Sequence, residues 1–248
     1  VNERYLLEWL SSNAGRGYVT YDEGSGEFSL SPEQAAVFAR EDEPTCIQGL
    51  IQGVVGQFVK EDIAVDVFKT GRGRPWGEHH ECCFCGTERF FRPAYAGHLL
   101  SEWIPALEGV EAKLKLGAKV ADIGCGLGTS SLLMAEQFPN STIHAYDFHG
   151  PSIEEAKRRG LEKGLTNVEF FVSDAASVSR EGYDLACIFD AWHDMGDPVG
   201  VAKAIKESLA DDGTFMVVEP MALDGLKNNL ENNPGAAMFY GFGTLVCV

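Results

Sequence analysis

The chain is poor in basic residues. Its 248 residues include 20 lysines and arginines against 37 aspartates and glutamates, a formal net charge of −17. Such a surface repels a phosphate backbone, which argues against a nucleic-acid partner. The sequence also lacks an apolar run long enough to cross a bilayer, and its N-terminus shows no signal-peptide pattern. We therefore expect a cytoplasmic protein with no membrane partner.

The sequence also lacks the cysteine pattern of a disulfide framework. The seven cysteines are odd in number and fall mostly in predicted strands or helices, so we expect reduced thiols and no secreted disulfide framework. The cluster HHECCFC (79–85) invites a zinc interpretation. However, its spacing differs from a C-x-x-C knuckle and no second ligand pair follows at the usual interval, so we expect no metal site. Thiol-directed chemistry is a weaker alternative.

A glycine-rich turn occupies residues 120–130, VADIGCGLGTS. An apolar run ends in Asp122, after which Gly124, Gly126 and Gly128 alternate with small residues, Cys125 among them. Glycine at these positions permits unusual dihedrals and a close approach of backbone to a ligand. Because a helical pattern follows, the segment predicts the first strand, turn and helix of an open sheet that binds a nucleotide-like ligand. The turn has neither a Walker lysine nor the third glycine of G-x-G-x-x-G.

DIGCGLG (122–128) resembles the cofactor-binding turn of class I S-adenosylmethionine-dependent methyltransferases, whose signature is close to D-x-G-x-G-x-G. The resemblance implies S-adenosylmethionine as the cofactor, with the turn and Asp122 at its amino-acid tail. Asp147 ends the second strand nineteen residues after Gly128, which suits an acceptor for ribose hydroxyls.

Three further residues belong to the cofactor site that the resemblance implies, and Asp190, after the fourth strand, is a fourth candidate. Phe148 would pack on the adenine face. Asp174, followed by Ala175 after the third strand, occupies the position where the family commonly contacts the adenine amino group. A solvated loop acid is the alternative for Asp174.

The fourth strand leads into FDAWHDMGDP, which places Asp190, His193 and Asp194 at the carboxyl edge of the sheet. A histidine there can act as a general base with a pKa near neutrality when a carboxylate orients it. The HD pair resembles the catalytic histidine and following aspartate of small-molecule O-methyltransferases in the family. Glu219, which ends the fifth strand, is a candidate to orient the histidine or the substrate. A helix cap or a pocket wall is the alternative for His193, and a plain strand-end acid for Glu219.

Three regions follow from the pattern. Residues 1–40 predict a helix, a hairpin and a helix, the elements of a partial winged-helix domain whose earlier helices would precede this segment. Residues 41–112 predict a helical linker, with dimerisation and lid roles. Residues 113–248 predict a Rossmann-like, doubly wound α/β domain with strands at 119–123, 142–147, 168–172, 184–190 and 214–219. The remaining residues are too few for the two further strands usual in the family, so we expect those to be missing.

Two predictions concern the helical linker. In 43–60, Ile47, Leu50, Ile51 and Val54 or Val55 are spaced for a core-facing side. In 90–107, four residues spaced by four predict core or dimer contacts rather than substrate contacts: Phe91, Tyr95, Leu99 and Trp103. We expect Arg92 to form a structural ion pair rather than to bind an acidic substrate.

The segment from Thr70 to Val248 resembles bacterial-type methyltransferases with an N-terminal winged helix, in RPWGEHH, FFRPAY, EWIPAL and VVEPMA as well as the motifs above. The resemblance implies a homodimeric enzyme that methylates a small molecule, with His193 as the base. Two alternatives stay open at this point. One is a winged-helix transcription regulator that uses the fold as a cofactor sensor, and the other is a catalytically silent scaffold.

Overall fold

The N-terminal region is a helix, a hairpin and a second helix in the computed structural model, which describes residues 1–247. The elements are α1 (Glu3–Gly15), the antiparallel strands β1 (Thr20–Asp22) and β2 (Glu27–Ser29), and α2 (Pro32–Phe38). Ser31 and Gln34 form the capping box that the sequence predicts, because each side chain bonds the other's backbone N–H. These elements match the predicted ones, and their assignment to a winged helix stays a prediction.

Helices occupy the linker. They are α3 (Gln48–Val59), α4 (Glu61–Thr70), α5 (Glu81–Ala94), a π-helical segment (Tyr95–Trp103) and α6 (Val110–Leu116). Arg92 of α5 lies within 3.0 Å of a Glu41 carboxylate oxygen, so the predicted structural ion pair is confirmed. Among residues 1–247 no helix has the length and apolar character needed to span a membrane.

The prediction for the buried side of α3 was wrong. Ile51, Val54 and Val55 are exposed, whereas the buried residues of α3 are Gly49, Gly53, Gly56 and Gln57. The reason is a backbone contact with α5: a Cβ added at Gly49 would lie 2.4 Å from the Phe90 nitrogen. Glycine lets two helices approach more closely than ridges of apolar side chains permit.

A parallel sheet carries the rest of the chain. Its strands are β3 (Lys119–Ile123), β4 (Thr142–Asp147), β5 (Val168–Val172), β6 (Tyr183–Phe189) and β7 (Leu209–Val218). Their spatial order is β5–β4–β3–β6–β7, and every neighbouring pair is parallel. The first three strands have the predicted bounds, while β6 and β7 begin before theirs. The sheet confirms the α/β class and the doubly wound arrangement.

Helices cover both faces of the sheet. They are α7 (Thr129–Gln137), α8 (Gly150–Glu162) and α9 (Pro198–Ser208). Side chains of β6 alternate between the faces: Leu185 packs in the core that contains Met134 of α7, and Ala186 packs in the core that contains Ile205 of α9. Two more helices follow β7, α10 (Leu226–Asn232) and α11 (Ala236–Val246). The sequence pattern predicts neither of these two helices.

Candidate active site

A crevice opens at the carboxyl edge of the sheet, where the strand order reverses between β3 and β6. Open α/β sheets bind ligands at such a switch point. Two cavities lie there, one of about 550 Å³ against the glycine turn and one of about 430 Å³ beneath α11. Their walls share Trp76, Thr87, Phe91, Asp190, Asp194, Val246 and Cys247, so the two cavities are neighbouring parts of one crevice. We name the larger the turn cavity and the smaller the apolar cavity.

The glycine turn adopts the conformation that its sequence predicts. Gly124, Gly126 and Gly128 have φ values of +75°, +52° and +81°, in the left-handed region that side chains disfavour. A Cβ at Gly128 would also lie 2.9 Å from Ala156 and from the Phe170 ring. At Gly126, by contrast, a Cβ would meet nothing within 4 Å, so this residue leaves open space in the cavity wall. The turn is therefore tight on its protein side and open on its ligand side.

Asp122 lies beneath the turn, not in the cavity wall. It is fully buried, and one carboxylate oxygen accepts hydrogen bonds from Ser130 Oγ at 2.6 Å and Ser131 Oγ at 2.5 Å. The other oxygen, Oδ1, has no partner. Burial raises the pKa of Asp122 to about 6. Because Ser130 lines the turn cavity, Asp122 is placed to act on a ligand through that hydroxyl.

Asp147 ends β4 in the wall of the turn cavity. Its two oxygens accept from the backbone N–H groups of Gly126 and His149, each at 2.8 Å, and burial raises its pKa. The carboxylate thus ties the end of β4 to the glycine turn while keeping lone pairs for a ligand hydroxyl. Phe148, the next residue, is exposed and lines the same cavity.

The remaining predicted cofactor residues divide between the wall and the support of the crevice. Cys125, Asp174 and Ala175 line the turn cavity, whereas Gly128 lies behind it. Asp174 also caps a short 3₁₀ helix by accepting from the Ala176 N–H at 2.8 Å. Asp174 thus lies in the cavity wall, and its contact with the adenine amino group stays a prediction.

Asp190 stands between the two cavities with a strained backbone. It is the described non-glycine residue with positive φ, at +50°. The Tyr95 hydroxyl donates to its Oδ2 at 2.7 Å, and burial raises the pKa of Asp190 to about 6. Such strain persists only where the surroundings hold it, and it is common at functional sites. Tyr95 is buried in the core, in line with the predicted core or dimer contact, and its hydroxyl also holds Asp190.

His193 and Glu219 form an imidazole–carboxylate pair at the carboxyl ends of β6 and β7. Glu219 Oε2 bonds His193 Nδ1, and Glu219 Oε1 accepts from the Trp192 N–H at 2.6 Å. Both carboxylate oxygens are therefore fixed, and the ring is held by one nitrogen. Asp194 Oδ1 lies 3.5 Å from the other nitrogen, Nε2. The sequence proposed these three residues as a group, and the fold brings them together.

The pKa of His193 differs from the near-neutral value that the sequence predicted. A hydrogen bond with the Cys247 thiol, the Glu219 carboxylate and the charge of Asp194 raise it to about 10, against the opposing effect of burial. The sulfur of Cys247 and a ligand atom each of His193 and Asp194 lie within 4.8 Å of one another. Sequence reasoning missed Cys247 because no motif links it to a histidine 54 residues earlier.

The apolar cavity is built largely by residues that the sequence analysis left unassigned. Glycines of α3 form its floor, Trp76 and Phe91 form one side, and Glu219 and His193 supply polar groups. Three side chains of α11 cover it: Met238, Phe239 and Phe242. The run FYGFGTL carries helical apolar spacing that could have indicated the helix, but nothing in it indicates what the helix covers.

The cluster HHECCFC belongs to the start of α5 and its approach. The ring of His80 caps the helix by accepting from the Cys82 N–H at 3.2 Å. The Cys83 thiol is buried and accepts from Gln57 Nε2 at 3.3 Å, and burial raises its pKa to about 11. Phe84 packs on His149 with ring centroids 4.5 Å apart. These contacts give the cluster a role in packing α5 over the turn cavity.

The comparisons with known proteins agree with this geometry. A family model described as a methyltransferase domain matches residues 114–246, more than half of the chain. The chain therefore belongs to the methyltransferase-domain family, and its cofactor is S-adenosylmethionine.

Curated relatives match less than half of the chain. The chain is 28% identical over 107 residues to (S)-coclaurine N-methyltransferase of Thalictrum flavum subsp. glaucum, a match that covers 43% of this chain and 30% of that protein. It is 38% identical over 108 residues to aklanonic acid methyltransferase of a Streptomyces species, a match that covers 42% of this chain and 49% of that protein. The chain thus spans less than half the length of these relatives.

One solved structure resembles the whole chain. Mitomycin 7-O-methyltransferase aligns with a TM-score of 0.67 at 18% identity, and the alignment covers 100% of this chain and 73% of that one. At this identity the likeness concerns the fold alone. It extends the similarity of fold beyond the family match to the N-terminal region and the linker.

The residues present fit the cofactor. The turn leaves open space at Gly126, and Asp122, whose Oδ1 is buried and unpartnered, bonds Ser130 of the cavity wall through Oδ2. Asp147 and Phe148 offer a hydroxyl acceptor and an aromatic face in the same cavity. Backbone N–H groups, an acid and an aromatic ring are what the amino-acid tail, ribose and adenine of the cofactor require.

Proposed function

We propose that this protein transfers the methyl group of S-adenosylmethionine to a hydroxyl of a small apolar molecule, with His193 as general base. The observation that carries the proposal is the His193–Glu219 pair, which lines the apolar cavity beside Asp194, a residue of the wall that the two cavities share. When bound, the cofactor supplies a methyl group that a nucleophile can displace from a sulfonium. The protein's own task is to hold the acceptor and remove its proton.

The pair is built for proton removal. Glu219 engages Nδ1, which leaves Nε2 as the ring nitrogen that can approach an acceptor hydroxyl. The fixed tautomer and orientation are what a general base needs. Asp190, three residues before His193 at the end of the same strand, lines the same cavity and accepts from the Tyr95 hydroxyl.

The high pKa of His193 has a specific cause that an acceptor removes. The hydrogen bond with Cys247 is the largest contribution. An acceptor hydroxyl that takes the place of the thiol at the ring removes this contribution, so the pKa falls towards the range in which a histidine is neutral and basic. Acceptor binding and activation of the base are thereby coupled.

The apolar cavity favours an acceptor with little charge. About 430 Å³ is enough for a molecule of a few rings, and the wall is made mainly of aromatic and aliphatic side chains. The chemistry needs little covalent help from the protein, so alignment of acceptor and cofactor supplies much of the rate. Aromatic and alicyclic alcohols are the acceptor class that we propose.

Titration calorimetry with S-adenosylhomocysteine tests the first half of the proposal. Binding is expected, and the absence of heat with folded protein would overturn it. A panel of phenols and alicyclic alcohols with radiolabelled cofactor tests the second half. On the best acceptor, His193→Gln should lower kcat by about 10²- to 10⁴-fold with the affinity for S-adenosylhomocysteine unchanged. Equal losses of turnover and cofactor affinity would remove His193 from the base role.

We also propose that the protein is a homodimer. Apolar side chains of α3 and α4 are widely exposed, Phe58 by 72% and Phe68 by 70%, and so are Tyr5 and Trp9 of α1. Exposed apolar area of this kind is typical of interfaces between subunits. Light scattering after gel filtration should give twice the mass of the chain. The double variant Phe58→Glu, Phe68→Glu should have the mass of a single chain. A monomeric wild-type protein would contradict the proposal.

The DNA-reading alternative has less support. Arg4, a basic residue of α1, forms an ion pair with Glu8 at 2.6 Å, and the whole chain is strongly acidic. Salt-dependent binding of duplex DNA by the full chain would reopen this alternative.

A further inference from the structure

Arg74 is a buried cation without a carboxylate partner among residues 1–247. The residue is 7% exposed. Nη1 donates to Gln57 Oε1 at 3.1 Å and Nη2 donates to the Glu78 carbonyl at 3.4 Å. Nε has no hydrogen-bond partner within the described part of the chain. Its neighbour Arg72, by comparison, is half exposed and lies within 4 Å of carboxylates of Asp66 and Glu78.

This arrangement leaves a charge unbalanced. A guanidinium stays protonated at any pH at which the protein is folded, and a buried cation is normally paired. The groups packed around Arg74 do not supply the missing charge. Gln57 is neutral, burial lowers the pKa of His79 to about 4, and burial raises the pKa of the Cys83 thiol to about 11, so both titratable neighbours are uncharged near neutral pH.

The position of Arg74 identifies where the missing anion belongs. Arg74 lines the turn cavity together with Gly124, Thr87 and Cys247, and the next aromatic residue, Trp76, lines both cavities. The guanidinium is also held in place: Gln57, which accepts from it, is itself anchored to the Cys83 sulfur. A guanidinium that is held in place and has an unpartnered, buried Nε–H therefore belongs to the wall of the ligand crevice.

We propose that Arg74 binds the carboxylate of a ligand in the crevice through its free Nε–H and an adjacent N–H. This proposal rests on the proposed function, because it takes the crevice as the site where the ligands bind. A planar carboxylate matches the guanidinium edge in two parallel hydrogen bonds. A phosphate is disfavoured, because the acidic residues Glu88 and Asp194 line the same cavity and repel a doubly charged group more strongly.

The carboxylate has two possible sources, the amino-acid tail of the cofactor and an acidic acceptor. Titration calorimetry separates them with S-adenosylhomocysteine and 5′-methylthioadenosine, which lacks the tail. If the tail is the source, Arg74→Gln lowers the affinity for S-adenosylhomocysteine by about 10- to 100-fold and leaves the affinity for methylthioadenosine unchanged. Arg74→Lys, which keeps the charge without the fork, should lose less, and Arg72→Gln should change neither ligand.

Thermal shift with 2-naphthoate and 2-naphthamide tests the acceptor as the source, on free and S-adenosylhomocysteine-saturated protein. If an acceptor is the source, naphthoate stabilises the wild type but not Arg74→Gln, while naphthamide acts equally on both. The proposal is overturned if Arg74→Gln, folded by circular dichroism, binds both nucleosides and both naphthyl probes like the wild type. A wild type that binds neither nucleoside would refute the proposed function instead, and the naphthoate titration of free protein would still decide the role of Arg74.

Discussion

His193 Nδ1 is joined to Glu219 Oε2 across the ends of two neighbouring strands, although 26 residues separate them in sequence. The parallel pairing of β6 and β7 creates this contact, because Phe189 and Val218 are register partners and the two side chains follow them. The same carboxylate accepts from the Trp192 N–H, so it fixes both the backbone and the ring. The pair is thus a consequence of strand register.

Glu219→Gln should lower the pKa of His193, since it removes one of the negative charges that raise that pKa to about 10. Ring-proton titration by NMR measures the shift, and Glu231→Gln, at an exposed site, is the control. A pKa that stays unchanged in Glu219→Gln would mean that the contact does not charge the ring.

The same raised pKa has a consequence for stability. A histidine whose folded pKa lies above its ordinary value of 6.5 stabilises the fold fully below that value, and the stabilisation is lost as pH rises towards about 10. The difference in unfolding free energy between the wild type and His193→Gln should therefore shrink over this range. Urea denaturation at several pH values measures it, and a difference that grows with pH would contradict the assignment.

Asp147→Asn should weaken cofactor binding. The carboxylate lines the turn cavity and accepts from two backbone N–H groups, so the amide keeps the shape but loses the charge and half of the acceptor capacity. Hydrogen bonds to charged groups contribute about 1.5–3 kcal/mol, which corresponds to about 10- to 100-fold in affinity. Calorimetry with S-adenosylhomocysteine checks this. Asp211→Asn, on the exposed start of β7, should have no effect, and equal affinities for wild type and Asp147→Asn would exclude Asp147 from the ribose site.

Cofactor binding should release protons at mildly acid pH. Burial raises the pKa values of Asp122 and Asp190 to about 6, so both are partly protonated there. A cationic ligand nearby favours the ionised carboxylates and lowers both pKa values. Calorimetry at about pH 6 in buffers of different ionisation enthalpy should show release, which disappears near pH 8 because the acids are already ionised. Asp190→Asn should reduce the release, and net proton uptake at the lower pH would contradict the prediction.

The sheet and the turn could be predicted because their signals are local. The bounds of β3, β4 and β5 follow from apolar runs. The three glycines of the turn indicate backbone positions with positive φ. The acids that line the crevice follow from one rule, that parallel strands bring their carboxyl ends to one edge. His193, Asp194 and Glu219 could therefore be grouped without a structure.

The rest of the site depends on contacts between distant segments. Arg74 reaches the crevice from a loop and Cys247 from the end of α11. No sequence motif around either residue indicates ligand binding. The pKa of His193 could not be foreseen for the same reason, since its largest cause is Cys247. The buried side of α3 was mispredicted because apolar periodicity assumes packing through side chains, whereas this helix packs through its glycines.

The glycine contact between α3 and α5 supplies the last prediction. A Cβ at Gly86 of α5 would lie 2.4 Å from the backbone nitrogen of Gly53, whereas a Cβ at Gly53 would meet only the Phe242 ring, at 3.5 Å. Both residues are inside helices, so alanine gains up to about 1 kcal/mol of helix propensity at either position. Gly86→Ala must push the helices apart and should destabilise the protein by about 1–3 kcal/mol. Gly53→Ala is the matched control and should be neutral or stabilising. Chemical denaturation of both variants measures the difference, and equal stabilities would show that the helices do not depend on this close approach.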